Sequence, residues 1–365
     1  MLNNNLNRKI KALVVDDSAF MRKSISIMLE SDPEISVIAT ARDGQEGYEL
    51  VKSLKPDIVT LDIEMPKMDG LTALKKIMKD YPTPVIMVSS LTTEGANSTI
   101  KALEYGAVDF IPKELSYVNV NIVKIKADLI NKVKEIVNQK RLKDRLRRVR
   151  NIDKSHSETS AAINQSNNIP AIGFKAIGLG ISTGGPFSLQ KVIPLLSKKI
   201  NCPIFIVQHM PPKFTKSLAE RLNGMSELEV KEAENDEIVK NGVIYFAPGG
   251  FHMTLEKKSS GIVTINISEE PLDTLHRPCV DIMLKSIIDI YGKYMLGIIM
   301  TGMGKDGLEG IKKLKELGGY SLVQDESTCV VYGMPRAVAD SGLADIIAPL
   351  EKFPEIINRI TANEK

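Results

Sequence analysis

Ala12-Leu-Val-Val-Asp-Asp-Ser18 joins a short β-branched run directly to two adjacent carboxylates. A buried strand ending in a polar turn has this composition. Runs of the same kind recur at 36–39, 57–61, 85–88 and 109–111, with amphipathic stretches such as 44–54 and 70–78 between them. Strands alternating with helices predict βαβ units on a parallel sheet, and right-handed crossovers place helices on both faces. The expected fold is therefore α/β, beginning with a five-stranded, doubly wound parallel domain over residues 8–127. Asp16 and Asp17 then follow the first strand, Asp62 the third, Ser89 the fourth and Lys113 the fifth. All open onto the carboxyl edge of the sheet, where such folds bind ligands. Three pooled carboxylates repel one another unless a cation joins them, and hard oxygen ligands with room for water suit Mg²⁺. Asp62 is placed to attack a phosphoryl group, Lys113 to neutralise the developing charge and Ser89 to hydrogen-bond the new phosphate oxygens.

The texture changes after Lys113. No Gly or Pro occurs from there to Ile169. Ile122, Ile125, Leu129, Val133 and Ile136 keep a helical apolar stripe. Residues 140–150 are strongly basic, and 155–168 are rich in Ser, Asn and Thr. The reading for 128–170 is a charged helical extension followed by a flexible linker. The basic run reads more simply as a solvated helix than as a docking site for an anionic partner.

At about 150 residues per domain, 365 residues imply two or three domains. Lys+Arg 48 against Asp+Glu 45 leaves a net charge of +3, too little to argue for nucleic acid. No helix-turn-helix pattern follows the basic run. Cys202, Cys279 and Cys329 lie far apart, which excludes a full disulfide framework and fits a reducing cytoplasm. Residues 1–10 hold no apolar core of a secretory signal. The longest apolar run, near 295–300, is far short of the about 20 residues a membrane span needs. The expectation is a soluble cytoplasmic protein with no nucleic-acid partner and no membrane insertion.

A second α/β domain is expected over 171–363, with a mainly parallel sheet. Strands are read at 176–179, 204–207, 243–246, 296–300 and 321–323. Helices are read at 185–196, 214–222, 280–291, 307–317 and 334–340. A β-hairpin spans 252–267. Gly180-Ile-Ser182-Thr-Gly184 satisfies G-x-S-x-G, the sharp strand-to-helix turn that lifts a serine hydroxyl clear of a sheet. The helix start beyond it offers unpaired N–H groups to an oxyanion. The same glycines also fit a loose dinucleotide-binding turn or plain packing. A dinucleotide site wants an acid ending the next strand, but that strand ends in Gln208-His209. His209 is thus a candidate general base, with His252 and His276 as competitors. Asp306, in the glycine-lined turn after 296–300, is the candidate acid. The triad Ser182, His209, Asp306 differs in chain order from the α/β-hydrolases while offering the same chemistry.

Two resemblances follow from these residues. Val14-Val-Asp-Asp-Ser18, Leu61-Asp-Ile-Glu-Met-Pro66, Met68-Asp-Gly70 and Asp109-Phe-Ile-Pro-Lys113 resemble the receiver domain of two-component response regulators. That likeness implies Asp62 as phospho-acceptor and Mg²⁺ held by Asp17, Asp62 and the Glu64 carbonyl, with Asp16 acting through water. It also implies Phe110 as the switch aromatic beside Ser89 and Lys113. Ile181-Ser-Thr-Gly-Gly-Pro186, Val207-Gln-His-Met-Pro211, Ala247-Pro-Gly249 with His252, Arg277-Pro278 with Val280-Asp281, Thr301-Gly-Met-Gly-Lys-Asp-Gly307 and Tyr332-Gly-Met-Pro-Arg336 resemble the chemotaxis protein-glutamate methylesterases. The implied substrate is the γ-methyl glutamyl ester on chemoreceptors, with deamidation of glutamines as a second activity. A chemotaxis histidine kinase is the implied phosphodonor, and the esterase site is expected to need no cofactor. Backbone N–H groups at Thr183 and Met303 are the oxyanion candidates. The alternative is a receiver-linked nucleotide-binding or signalling protein without hydrolysis.

Overall fold

Each β-branched run becomes a strand, and each amphipathic stretch packs one face on the sheet it connects. The structure is a computed structural model and describes residues 8–113, 121–153 and 173–361. It divides into two units at Arg145. The first unit runs β1 (Ile10–Val15), α1 (Ala19–Glu30), β2 (Ile35–Ala41), α2 (Gly44–Leu54), β3 (Ile58–Asp62), α3 (Gly70–Asp80), β4 (Val85–Ser89), α4 (Thr93–Glu104), β5 (Asp109–Pro112) and α5 (Asn121–Asp153). Its sheet has the order β2-β1-β3-β4-β5, with every pairing parallel. That order reverses direction between β1 and β3, and a crevice opens at the carboxyl ends of strands at such a point. Asp16, Asp17 and Asp62 flank it. Ser18, Asp43, Asp69 and Thr92 cap the N-termini of α1 to α4, satisfying amides that a helix start leaves open.

α5 continues past residue 127. Leu129, Val133, Ile136 and Val137 are buried, Lys132 lies 3.3 Å from Asp109, and Arg141 pairs with Asp57 at 3.2 Å. Residues 128–153 are thus helical, while the flexible-linker expectation for 154–170, with His156, lies outside the described residues.

The second unit runs β6 (Ala176–Ile181), α6 (Gly185–Val192), β7 (Ile204–Gln208), α7 (Phe214–Asn223), β8 (Glu229–Glu232), β9 (Val243–Phe246), β10 (His252–Lys257), β11 (Val263–Ser268), α8 (Val280–Tyr291), β12 (Met295–Ile299), α9 (Leu308–Glu316), β13 (Tyr320–Gln324), α10 (Met334–Asp340), β14 (Ile346–Ala348) and α11 (Phe353–Thr361). Seven parallel strands take the order β14-β13-β12-β6-β7-β9-β8, and β10 and β11 form the expected antiparallel hairpin. The chain builds outward from β6 in both directions, so its direction reverses between β6 and β12. Gly178 and Gly180 leave β6 bare on one face. A Cβ there would lie 2.6 Å from Leu284 and 2.3 Å from Val280 of α8, so the helix rides directly on the strand.

Candidate active site

Ser182 stands one residue beyond β6. Its N–H donates to the Thr301 carbonyl at 3.0 Å, and its own carbonyl accepts from Gly185 N–H at 2.7 Å. Gly184, at φ +75°, closes the turn into α6. A left-handed residue there favours glycine, and the sequence supplies one. Ser182 is half-buried, and its hydroxyl makes no hydrogen bond seen among the described residues.

His209 stands one residue beyond β7, the strand beside β6. Its N–H donates to the Ile181 carbonyl at 3.3 Å, one step past the Ile181–Gln208 pairing. Adjacent strands lie about 4.8 Å apart, so Ser182 and His209 are neighbours at one sheet edge. The His209 ring is only 7% exposed, and its Nε2 meets Asp306 Oδ2 at 2.8 Å. Nδ1 is buried with no partner among the described residues. The Ser182 hydroxyl makes no hydrogen bond to it in this resting geometry, as is common before substrate binds.

Asp306 comes from the loop after β12, on the other side of β6. It accepts from the amides of Val280 at 2.8 Å and Asp281 at 2.9 Å, and from the Cys279 thiol at 3.3 Å. α8 has no side-chain cap of its own, so a carboxylate distant in sequence caps it. Burial alone would raise the Asp306 carboxyl. The His209 contact and the two amides outweigh it and hold the group below the ordinary carboxylate range. Asp306 is therefore an anion and Nε2 carries the proton, which leaves the lone pair on Nδ1. Burial and the Asp306 charge push the Cys279 thiol up to about 12, so it stays a donor.

The two competing histidines are placed differently. His252 is buried, with Nε2 3.2 Å from both the Pro271 carbonyl and Thr274 Oγ1. His276 stacks on His209, with ring centroids 4.2 Å apart and planes 20° apart. Neither Thr183 nor Met303 donates its backbone N–H to any acceptor among the described residues, which leaves both amides available to an oxyanion.

Two bracing residues escaped the sequence reading. Buried Gln208 donates from Nε2 to the carbonyls of Ser182 at 3.0 Å and His209 at 3.3 Å. Buried Thr301 Oγ1 contacts the carbonyls of Thr183 and Val331 and accepts from the amides of Val330 and Val331, all within 3.1 Å. Gln208 was legible only as a polar residue ending a buried strand, and Thr301 only as the first residue of the glycine-lined turn.

In the first unit, ligand oxygens of Asp16, Asp17 and Asp62 lie within 4.8 Å of one another. Asp16 and Asp62 are buried. Lys113 Nζ lies 2.7 Å from Asp62 and 3.6 Å from Asp16. Burial raises the Asp62 carboxyl to about 6, with the Asp16 charge adding to it and Lys113 opposing. Burial would depress Lys113, but its two carboxylate neighbours outweigh that and raise it. One ammonium among three carboxylates leaves an excess of negative charge, and this all-oxygen set fits a small divalent cation. Ser89 Oγ donates to the Gly95 carbonyl at 3.2 Å, so it faces α4 here. Phe110 is buried.

Among the described residues, no helix is long and apolar enough to cross a membrane. A family model described as CheB methylesterase matches residues 177–357, and one described as response regulator receiver domain matches residues 12–121. Receiver domains in general are phosphorylated with Mg²⁺. A protein-glutamate methylesterase/protein-glutamine glutaminase of Pyrococcus horikoshii is 45% identical over 352 residues, covering 96% of this chain and 94% of that protein. Protein-glutamate methylesterase/protein-glutamine glutaminase 1 of Oleidesulfovibrio alaskensis is 48% identical over 364 residues, covering 95% and 98%. The crystal structure of the Thermotoga maritima CheB methylesterase catalytic domain superposes with a TM-score of 0.50 at 46% identity, covering 52% of this chain and all of that one. Near-complete coverage at this identity, with both domains in the same order, places the chain in the protein-glutamate methylesterase/protein-glutamine glutaminase family, a receiver domain followed by a CheB methylesterase domain.

Proposed function

We propose that this protein is a phosphorylation-regulated serine hydrolase of chemotaxis, removing methyl esters from receptor glutamates and deamidating receptor glutamines. We assign residues 8–127 to the receiver, 128–170 to the extension and linker, and 171–363 to the esterase. The observation that carries the hydrolase reading is the His209–Asp306 contact at 2.8 Å. It fixes the proton on Nε2 and leaves a buried, unpartnered Nδ1 on the residue that follows β7, next to the strand that leads into Ser182. Nδ1 takes the Ser182 proton as the hydroxyl oxygen attacks the ester carbonyl. The amides of Thr183 and Met303 receive the oxyanion, each such donor being worth about 3 kcal/mol in the barrier. The imidazolium, held by Asp306, returns its proton to the departing methanol. Water then enters, Nδ1 takes one of its protons as its oxygen attacks the acyl carbon, and the imidazolium gives that proton to the departing Ser182 oxygen, leaving glutamate and the free serine. An amide substrate follows the same route and releases ammonia.

In the receiver, Asp16, Asp17 and Asp62, with the Glu64 carbonyl, would hold Mg²⁺, which offsets the charge of an incoming phosphoryl group. Asp62 accepts that group, Lys113 neutralises it, and Ser89 swings from the Gly95 carbonyl to bond it, with Phe110 following. The phosphodonor is a chemotaxis histidine kinase and the substrates are methyl-accepting chemoreceptors. The setting is the cytoplasm, and the esterase site works without a cofactor. The dinucleotide-binding alternative is dropped: β7 ends in Gln208, whose side chain braces the Ser182 turn, and the relatives are named as esterases. The test is methanol release from methylated receptor membranes, with and without a phosphodonor and Mg²⁺. Ser182→Ala and His209→Gln each lose at least about 10³-fold, whereas Asp62→Asn keeps basal turnover and loses only the stimulation. Basal turnover surviving in Ser182→Ala would remove the hydrolase assignment.

A further inference from the structure

His209 is held by one hydrogen bond at Nε2, and a ring so held still turns about that contact. Its other nitrogen has no partner. Packed against one face of it is the His276 ring, 4.2 Å away and nearly parallel. We propose that His276 is a positioning residue for the esterase: its ring lies against His209 and holds Nε2 on Asp306 and Nδ1 toward Ser182 through turnover. This rests on the esterase reading above and extends it to a residue outside the triad.

The segment around His276 is built for such a task. The Arg277 carbonyl accepts from Gly250 N–H at 3.1 Å, and Arg277 pairs with Glu269 at 3.6 Å. His252 ties the preceding turn through Pro271 and Thr274. Three residues further on, Cys279, Val280 and Asp281 bind Asp306. One continuous stretch, 276–281, therefore touches both the base and the acid, and fixes each relative to the other. Among the described residues, the charged and titratable groups tied to this segment include Asp306 with Cys279, Arg277 with Glu269, and His252. When His209 becomes a cation, the π face of an uncharged ring opposite it is favourable. That role asks for an aromatic ring at 276, not for an ionisable one.

The test uses the full chain and two substitutions. A misplacement of about 1 Å in a reacting group costs up to about 100-fold. His276→Ala should lower kcat for methanol release at least about 10-fold with KM within about twofold, and His276→Phe should stay within about threefold of the parent. With only four histidines in the chain, the downfield Nε2 proton of the His209–Asp306 bond can be assigned by its loss in His209→Gln. It should broaden or vanish in His276→Ala and persist in His276→Phe. An unchanged proton signal in His276→Ala, or a Phe variant as impaired as the Ala variant, overturns the proposal. The proton signal does not depend on turnover. A chain that released no methanol would sink the esterase reading while this measurement still decided the role of His276.

Discussion

Asp62→Asn removes a buried carboxylate whose ionisation the receiver fold resists. Asp62 is 1% exposed, and burial, with the Asp16 charge, raises its carboxyl from 3.8 to about 6. The folded state therefore holds the proton more tightly than the unfolded chain does. The stability that Asp62 contributes is fully present below about pH 4 and falls as pH rises toward 6, where Asp62 ionises in place. A shift of this size is worth about 3 kcal/mol at neutral pH. Asparagine keeps the shape and never ionises, and Lys113 retains Asp16 at 3.6 Å. In chelator, Asp62→Asn should be the more stable protein at pH 7.5, with an advantage about 1.4 kcal/mol larger than at pH 5. For a unit of this size the change is about 5 °C in the receiver melting transition, measured by calorimetry on the full chain. Added Mg²⁺ should narrow the gap, because only the parent offers all three carboxylates and a ligand bound to the native state stabilises it. An advantage equal at the two pH values, or a variant less stable at pH 7.5, would refute the claim that the receiver site is strained by its own charge.

Three further outcomes are expected. Asp306→Asn should cost about 10⁴-fold in kcat. It should also flatten the acid limb of the stability curve: a carboxyl held low stabilises the fold at neutral pH and loses that contribution as pH falls below about 4. A Cβ at Gly185 would lie 1.8 Å from Gln208 Oε1, so Gly185→Ala should displace Gln208 and cost about 10-fold or more in single-turnover rate. An unchanged rate in a folded variant would mean that Gln208 braces nothing. Thr301→Val strips four buried contacts of their hydroxyl and should cost about 2–4 kcal/mol by urea denaturation; a loss under about 0.5 kcal/mol would show that the backbone groups re-pair.

The sequence revealed the strands that are buried on both faces, because these are short, continuous and β-branched. Ile58–Asp62, Val85–Ser89 and Ile204–Gln208 are of that kind. It concealed the edges of the seven-stranded sheet. Glu229–Glu232 reads as a charged loop since only Val230 is buried, and Ile346–Ala348 is too short to show a period. Charge and brevity are how proteins blunt sheet edges against aggregation, so the same device hides them from a reader. Phe353–Thr361 carried a signal that was passed over: Phe353, Ile356, Ile357 and Ile360 recur at helical spacing and are all buried. Ser182, His209 and Asp306 were legible because each follows a strand in a parallel sheet. The union of Asp306 with the start of α8 was not, since it joins residues 25 or more apart in sequence through a fold that must already exist. The His209–His276 stack was hidden for the same reason.

The bare face of β6 has a consequence for how this catalyst could be tuned. Since Gly178 and Gly180 offer no side chains, Leu284 and Val280 of α8 occupy the space a Cβ would need, and the height of its first turn above the sheet depends on the absence of two methyl groups. That first turn carries the amides that grip Asp306, so the aim of the acid, and through it of the imidazole, is calibrated from the floor of the domain. A single methyl added beneath the helix would act as a shim, detuning the enzyme without touching any atom that reacts.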